Sequence, residues 1–328
     1  MPTLSAQDRR VLQTVLLQAE VPVEKLARAI GTRVHTFRRT VAKLQECGVL
    51  LGKRAFINPQ ALGLLEYHVY LKQCEVVESQ RKKFIQQLSL QDGVGLLAEL
   101  SGDLQYEVRL MSRSVSALMG LADALSCQYQ LRIEGMCQVY EQEYSGPRYD
   151  SSPNTNVRAL CSGPTNAIVR VDETDHQILS LLANTSYESM RSVAQVVGIP
   201  STTLTYRINR LERSGVISGY YYLCDVKPVS HMPTILLMQT RLLDEERRKA
   251  LRQFCKKHPQ IAYLDIMLGE WGARALMRAE HHQQVLDVVH ELTSQFSPYI
   301  ESVRVMPQLR FHRFSTYPFV NFEAVKIV

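Results

Sequence analysis

Two stretches of this 328-residue chain gather hydroxyls and cations at helical spacing. In "GIPSTTLTYRINRLERSGVISGY", residues 198–220, the outward positions are Ser201, Thr202, Thr203, Thr205, Tyr206, Arg207 and Arg210. In "GTRVHTFRRTVAKLQECGVLLGK", residues 31–53, they are Arg33, His35, Thr36, Arg38, Arg39 and Lys43. Short hydroxyls, an aromatic edge and guanidinium groups on one helix face suit contacts to phosphate oxygens and to base edges in a DNA groove. A plain solvated face interleaves acids with its cations, and neither set contains one. Double-stranded DNA is the partner this chemistry predicts.

Other chemistries find less support. No Ser/His/Asp arrangement or phosphate-binding glycine loop is visible. The seven cysteines, at 47, 74, 127, 137, 161, 224 and 255, form no Cys-x-x-Cys pair, which argues against a zinc knuckle and a disulfide framework. Cys255 and His258, at helical i, i+3, are a weak metal pair, and His281 and His282 point to different sides of a helix. We therefore expect no catalytic residues, no metal and no cofactor. The net charge of +6 is mild, but residues 1–60 carry ten Lys/Arg against four Asp/Glu. No basic-then-apolar leader and no long apolar run is present, so a cytoplasmic protein without a membrane partner is expected.

The elements that must position these faces occur twice. Gly31 and Gly48 recur as Gly198 and Gly215, and Gly102 recurs as Gly269, at a constant offset of 167 residues. "LSAQDRRVL" from Leu4 lies over "VDETDHQIL" from Val171 at the same offset. A register held over about a hundred residues reads as duplication of one unit. Ser5 and Asp172 are expected to cap a first helix, with Asp8 and Asp175 near its positive end. "VEKLARAI" and "MRSVAQVV" form a second helix that stops at glycine. The third helix points Phe37, Val41 and Leu44, or Leu204, Ile208 and Leu211, inward. "GVLLGKRAFIN" and "GVISGYYYLCD" then alternate as a small β-wing does.

After each such winged helix-turn-helix the pattern changes to strand, helix, strand, strand, helix, strand. This is the ferredoxin-like βαββαβ order, with one sheet face under the helices and the other available for pairing. The predicted class is α+β: winged helix-turn-helix over 1–60 and 171–228, βαββαβ over 61–144 and 229–318. A Ser-, Pro- and Asn-rich linker separates them over 145–170.

"SLLANTSYESMRSVAQVVGIPSTTLTYRINRLERSGVISGYY" resembles the DNA-binding half of the Lrp/AsnC transcription regulators, and the βαββαβ part is similar to their amino-acid-sensing RAM domain. A usual member has one unit and dimerises through the RAM sheets. The resemblance therefore implies a covalent pseudo-dimer, further homo-oligomerisation through the RAM domains, and an amino acid or other small molecule as effector near Gly102, Asp103, Gly269 and Glu270. Two departures stand out. The family arginine matched by Arg207 is Thr40 in the first unit, and the loops "GDLQ" and "GEWG" lack the last acid of the family's Gly-x-x-Asp. The resemblance leaves two alternatives. One is an enzyme like the sirohaem decarboxylases of the same superfamily, with His68, His231 and His312 as candidates to hold the tetrapyrrole. The other is a regulatory partner of other Lrp-like proteins.

Overall fold

The computed structural model describes residues 4–74, 78–146, 159–187, 189–225, 232–241 and 243–325. It opens with three helices, α1 (Ala6–Leu16), α2 (Val23–Ala29) and α3 (Val34–Glu46). Helix α1 starts in a capping box. Ser5 Oγ accepts from the Asp8 amide and the Asp8 carboxylate accepts from the Ser5 amide. The strand β1 (Leu50–Ile57) follows, and then a βαββαβ run. Its members are β2 (Leu65–Gln73), α4 (Glu78–Leu90), β3 (Val94–Leu100), β4 (Tyr106–Ser112), α5 (Val115–Tyr129) and β5 (Leu131–Tyr144).

A short strand β6 (Leu160–Ser162) leads into α6 (Glu173–Asn184), α7 (Met190–Val197), α8 (Ser201–Arg213) and β7 (Ile217–Cys224). The Asp172/Asp175 capping box starts α6, as Ser5/Asp8 starts α1. The chain continues through β8 (Met232–Thr240), α9 (Glu245–Lys257), β9 (Ile261–Leu268), β10 (Ala273–Ala279), α10 (His282–Phe296) and β11 (Ile300–Phe314).

Eight strands close into a ring in the order β2-β4-β3-β11-β8-β10-β9-β5, with β5 returning to pair with β2 and β6 added outside β5. Every pairing is antiparallel. Each half contributes four neighbouring strands, β5-β2-β4-β3 and β11-β8-β10-β9. The halves join at their edges, β3 to β11 and β5 to β9. Face packing of two sheets was the expectation, but edge pairing also satisfies the backbone groups that two open four-stranded sheets leave bare. Helices α4 and α5 cover the first half over Val69, Phe84, Leu97 and Leu118, and α9 and α10 cover the second over Leu236, Leu251, Leu264 and Leu292.

The two wing segments each form one strand, β1 and β7, and they pair with each other in a separate two-stranded sheet. A single strand cannot satisfy its own ladder, and the strand at the matching place in the other half supplies the partner. Arg54 lies opposite Tyr221, which stands at the 167-residue offset from it. The stretch read as linker is partly built in. Leu160 and Ser162 pair on β5, Asn58 Nδ2 donates to Gly163 O at 3.0 Å, and Val169 N donates to Ala61 O at 2.8 Å. Residues 147–158 lie outside the described part. At the end of the chain, Tyr317 and Phe319 are buried against α6, and Thr316 Oγ1 donates to Ala55 O.

Candidate nucleic-acid interface

The third helix of each three-helix group is held by a buried row: Phe37, Thr40 and Leu44 in α3, and Leu204, Ile208 and Leu211 in α8. Thr40 takes the inward place expected for Val41, which is half-buried, and spends its hydroxyl proton on Thr36 O at 3.0 Å. Neither helix start is sealed by a side chain. Arg33 caps α3 and Pro200 caps α8 without a side-chain bond to the first-turn amides.

On α8, Ser201, Thr202, Thr205 and Tyr206 are exposed, Tyr206 to 71%. Thr203 is half-buried, and Thr205 Oγ1 donates to Ser201 O at 2.9 Å. On α3, Arg33, His35, Arg38, Arg39 and Lys43 are exposed and Thr36 is half-buried.

The cations separate into two kinds. Arg207 Nη1 donates to Asp172 Oδ2 at 2.7 Å and to Asp175 Oδ1 at 2.9 Å, and Arg210 pairs with Asp175. Lys43 Nζ reaches Asp8 Oδ2 at 2.7 Å, and Arg38 reaches Glu24. These four were expected to point outward to DNA. Each reaches an acid of a neighbouring helix, and Arg38, Lys43 and Arg210 stay exposed while doing so. The third helix crosses the start of the first, so residues on its flank meet the capping-box carboxylates, which a scan along one helix does not register. Arg33 and Arg39 make no ion pair among the described residues, and they remain available.

The acids respond accordingly. Burial pushes the Asp8 carboxyl up, but Lys43 and the Ser5 bonds outweigh it and hold it below the ordinary range. Asp172 is held down in the same way by Arg207 and the Asp175 amide against its burial.

The four loop residues lie at the ends of the barrel. Gly102 has φ 101° and its loop rests on β11, where Ser101 N donates to Pro307 O at 2.9 Å and Asp103 faces Arg304 at 3.5 Å. Gly269, at φ 148°, packs on β5, where a Cβ would come within 2.8 Å of Met136 O. Glu270 lies beside Gly135 of β5. The space behind these loops is filled by Trp271, 4% exposed and edge-on to Tyr70 at 4.9 Å, together with Met306 and Leu104.

The barrel interior holds a buried ionic cluster that the sequence reading missed. Arg274 Nε meets Glu107 Oε1 at 2.5 Å, and its Nη1 meets Asp265 Oδ2 at 3.0 Å. His68 lies between the same two acids, at 2.9 Å from Glu107 and 3.4 Å from Asp265. Arg109 Nε lies 3.2 Å from Glu66, which also accepts from Gln142. Despite burial, Arg274 and His68 hold the Glu107 carboxyl down to about 2. Charged residues alternating with apolar ones in "QYEVRLM" and "GARALMRA" were the available sign. His312 pairs with Glu99 on the barrel wall, and His231 lies outside the described residues.

Residues 171–218 match the family model described as winged helix-turn-helix DNA-binding. An uncharacterised HTH-type transcriptional regulator of Pyrococcus furiosus is 27% identical over 122 residues, which is 37% of this chain and 81% of that protein. The HTH-type transcriptional regulator AldR of Mycobacterium tuberculosis is 30% identical over 35% of this chain and 63% of its own. Over the whole length, the crystal structure of the siroheme decarboxylase NirDL shares the fold, with a TM-score of 0.60, 10% identity, and coverage of 98% of this chain and 96% of that one. The chain thus carries a winged helix-turn-helix of the kind found in HTH-type transcriptional regulators. Among the described residues, no helix is long and apolar enough to cross a membrane.

Proposed function

We propose that the protein is a DNA-binding transcriptional regulator of the Lrp/AsnC type that works as a covalent pseudo-dimer. One observation carries this reading. The segment matching the DNA-binding family presents, on α8, a row of exposed hydroxyls with Tyr206 beside it, while Arg207 and Arg210 pair with acids at the start of α6. Hydroxyls and an aromatic edge discriminate base edges, so α8 reads sequence. On α3 the residues left available are Arg33, His35 and Arg39, which suit phosphates.

The β1–β7 ladder yokes the two helix groups, and the two faces share almost no outward chemistry. One chain therefore prefers an asymmetric site with dissimilar half-sites about one helical turn apart. Selection from a random DNA pool tests this. A clean palindrome, or no enrichment at all, would refute it. Arg33→Ala with Arg39→Ala should weaken binding to all sequences alike and lower the salt slope by about one per lost phosphate contact.

The whole-chain similarity to a siroheme decarboxylase favours a second reading, an enzyme acting on a tetrapyrrole. Such a ligand needs cations for its carboxylates, and the interior Arg109, Arg274 and His68 are already committed to Glu66, Glu107 and Asp265. A tetrapyrrole absorption band on the purified protein would favour the enzyme.

A further inference from the structure

Glu107 and Arg274 stand at the 167-residue offset, in strands β4 and β10 whose ends coincide under the same offset. Their surroundings coincide as well. Glu107 is in register with Tyr70 and Ala98, and Arg274 with Leu237 and Asp265, each at the matching position. Strands β4 and β10 are not neighbours in the ring, so the two side chains meet across the barrel interior. Arg274 Nε lies 2.5 Å from Glu107 Oε1 and Nη2 lies 3.0 Å from Oε2, with both side chains within 5% of full burial. Arg54 opposite Tyr221 is a second place where matching positions face each other. An axis relating the two halves passes through both points.

In a symmetric dimer a residue on that axis faces its own copy, and an ion pair there is impossible. Here a carboxylate faces a guanidinium. We propose that the Glu107–Arg274 pair is a charge lock on barrel closure, so that a first half closes only with a second half, of its own chain or of another copy. Pairing two first halves would set Glu107 against Glu107 away from water, and pairing two second halves would set Arg274 against Arg274. Either arrangement leaves buried charge without its partner, the costly way to break a buried pair. Two further differences act in the same sense. His68 stands where the second half has Ile235, and Asp265 stands where the first half has Ala98. The His68–Asp265 contact at 3.4 Å is therefore also made only between unlike halves. Specificity here comes from penalising the wrong pairing as well as favouring the right one.

This inference rests on the equivalence of the two halves and not on DNA binding, so the test reads assembly alone. Full-length Glu107→Arg and Arg274→Glu chains, carrying tags of different mass, are refolded singly and as an equimolar mixture, then separated by size with mass detection. Within either variant, every pairing of halves sets like charges on the axis. In the mixture, reciprocal exchange of halves sets opposite charges in both barrels. The expected result is poor recovery of each variant alone, with a dimer carrying both tags in excess over same-tag dimers by about tenfold. Statistical distribution of the tags, or full recovery of either variant alone as a closed monomer, would overturn the lock. The milder Glu107→Gln, Arg274→Gln and double variants decide the matter if the charge-reversed chains do not refold. Coupling of about tenfold or more in the unfolding equilibrium supports the pair, and coupling below about twofold overturns it.

Discussion

Asp175→Asn tests the clamp at the foot of α8. The Asp175 side chain is fully buried and accepts from the Asp172 amide at 3.2 Å, from Arg207 at 2.9 Å and from Arg210. Asparagine keeps the size and one carbonyl acceptor, but it loses the charge and points an NH2 group toward an arginine. A hydrogen bond to a charged group is worth about 1.5–3 kcal/mol. The arginine side chains are 24% and 42% exposed and can turn to water, which recovers part of the loss. A net cost of about 2 kcal/mol is expected, equivalent to roughly thirtyfold faster hydrogen exchange. That effect should be confined to α6–α8, since the barrel has its own core. DNA binding should move the other way. With Asp175 neutral, Arg210 loses its acid while Arg207 keeps Asp172 at 2.7 Å, so the salt slope should steepen by about one. Unchanged exchange in α6 would refute the clamp. Weaker DNA binding with a shallower slope would show that the arginines act on DNA from their paired positions.

Further outcomes follow from the same geometry. Trp271→Ala empties a fully packed site inside the barrel and should cost about 3–5 kcal/mol in denaturant unfolding; in the native chain this only tryptophan should shift its emission to the red when the barrel opens. Gly269→Ala places a Cβ against Met136 O at a positive φ, whereas Gly31, at φ 64°, has open space, so Gly269→Ala should destabilise more than Gly31→Ala by about 1–3 kcal/mol. Asp8 and Asp172 have folded pKa values below the ordinary 3.8, so their stabilisation is present above that value and is lost as pH falls through the lower folded value. Acid unfolding followed by circular dichroism should therefore begin at higher pH in Lys43→Ala and in Arg207→Ala than in the native chain.

Tyr206→Ala separates reading from folding. Its side chain is 71% exposed, so unfolding should change by no more than about 0.5 kcal/mol. The selected DNA sequence should lose definition in the half-site under α8. An unchanged selection would exclude α8 as the base reader.

Periodicity and spacing along the chain were enough for the local elements. Short strand-like apolar runs marked β2, β3 and β4, helical spacing marked α3 and α8, and the Ser5 and Asp172 caps followed from residue type, because each depends on neighbours a few positions away. The exposed α8 face was legible for the same reason. Where Arg38, Lys43, Arg207 and Arg210 spend their charge was not, because their acids lie on other helices, 14 to 35 residues distant. The pairing of β1 with β7, the closure of the barrel at β3–β11 and β5–β9, and the meeting of Glu107 with Arg274 are also decided only in three dimensions. Strand edges carry no mark of which distant edge will satisfy them. A charge in an apolar strand reveals its role only once the opposite charge, 167 residues away, is placed across the interior.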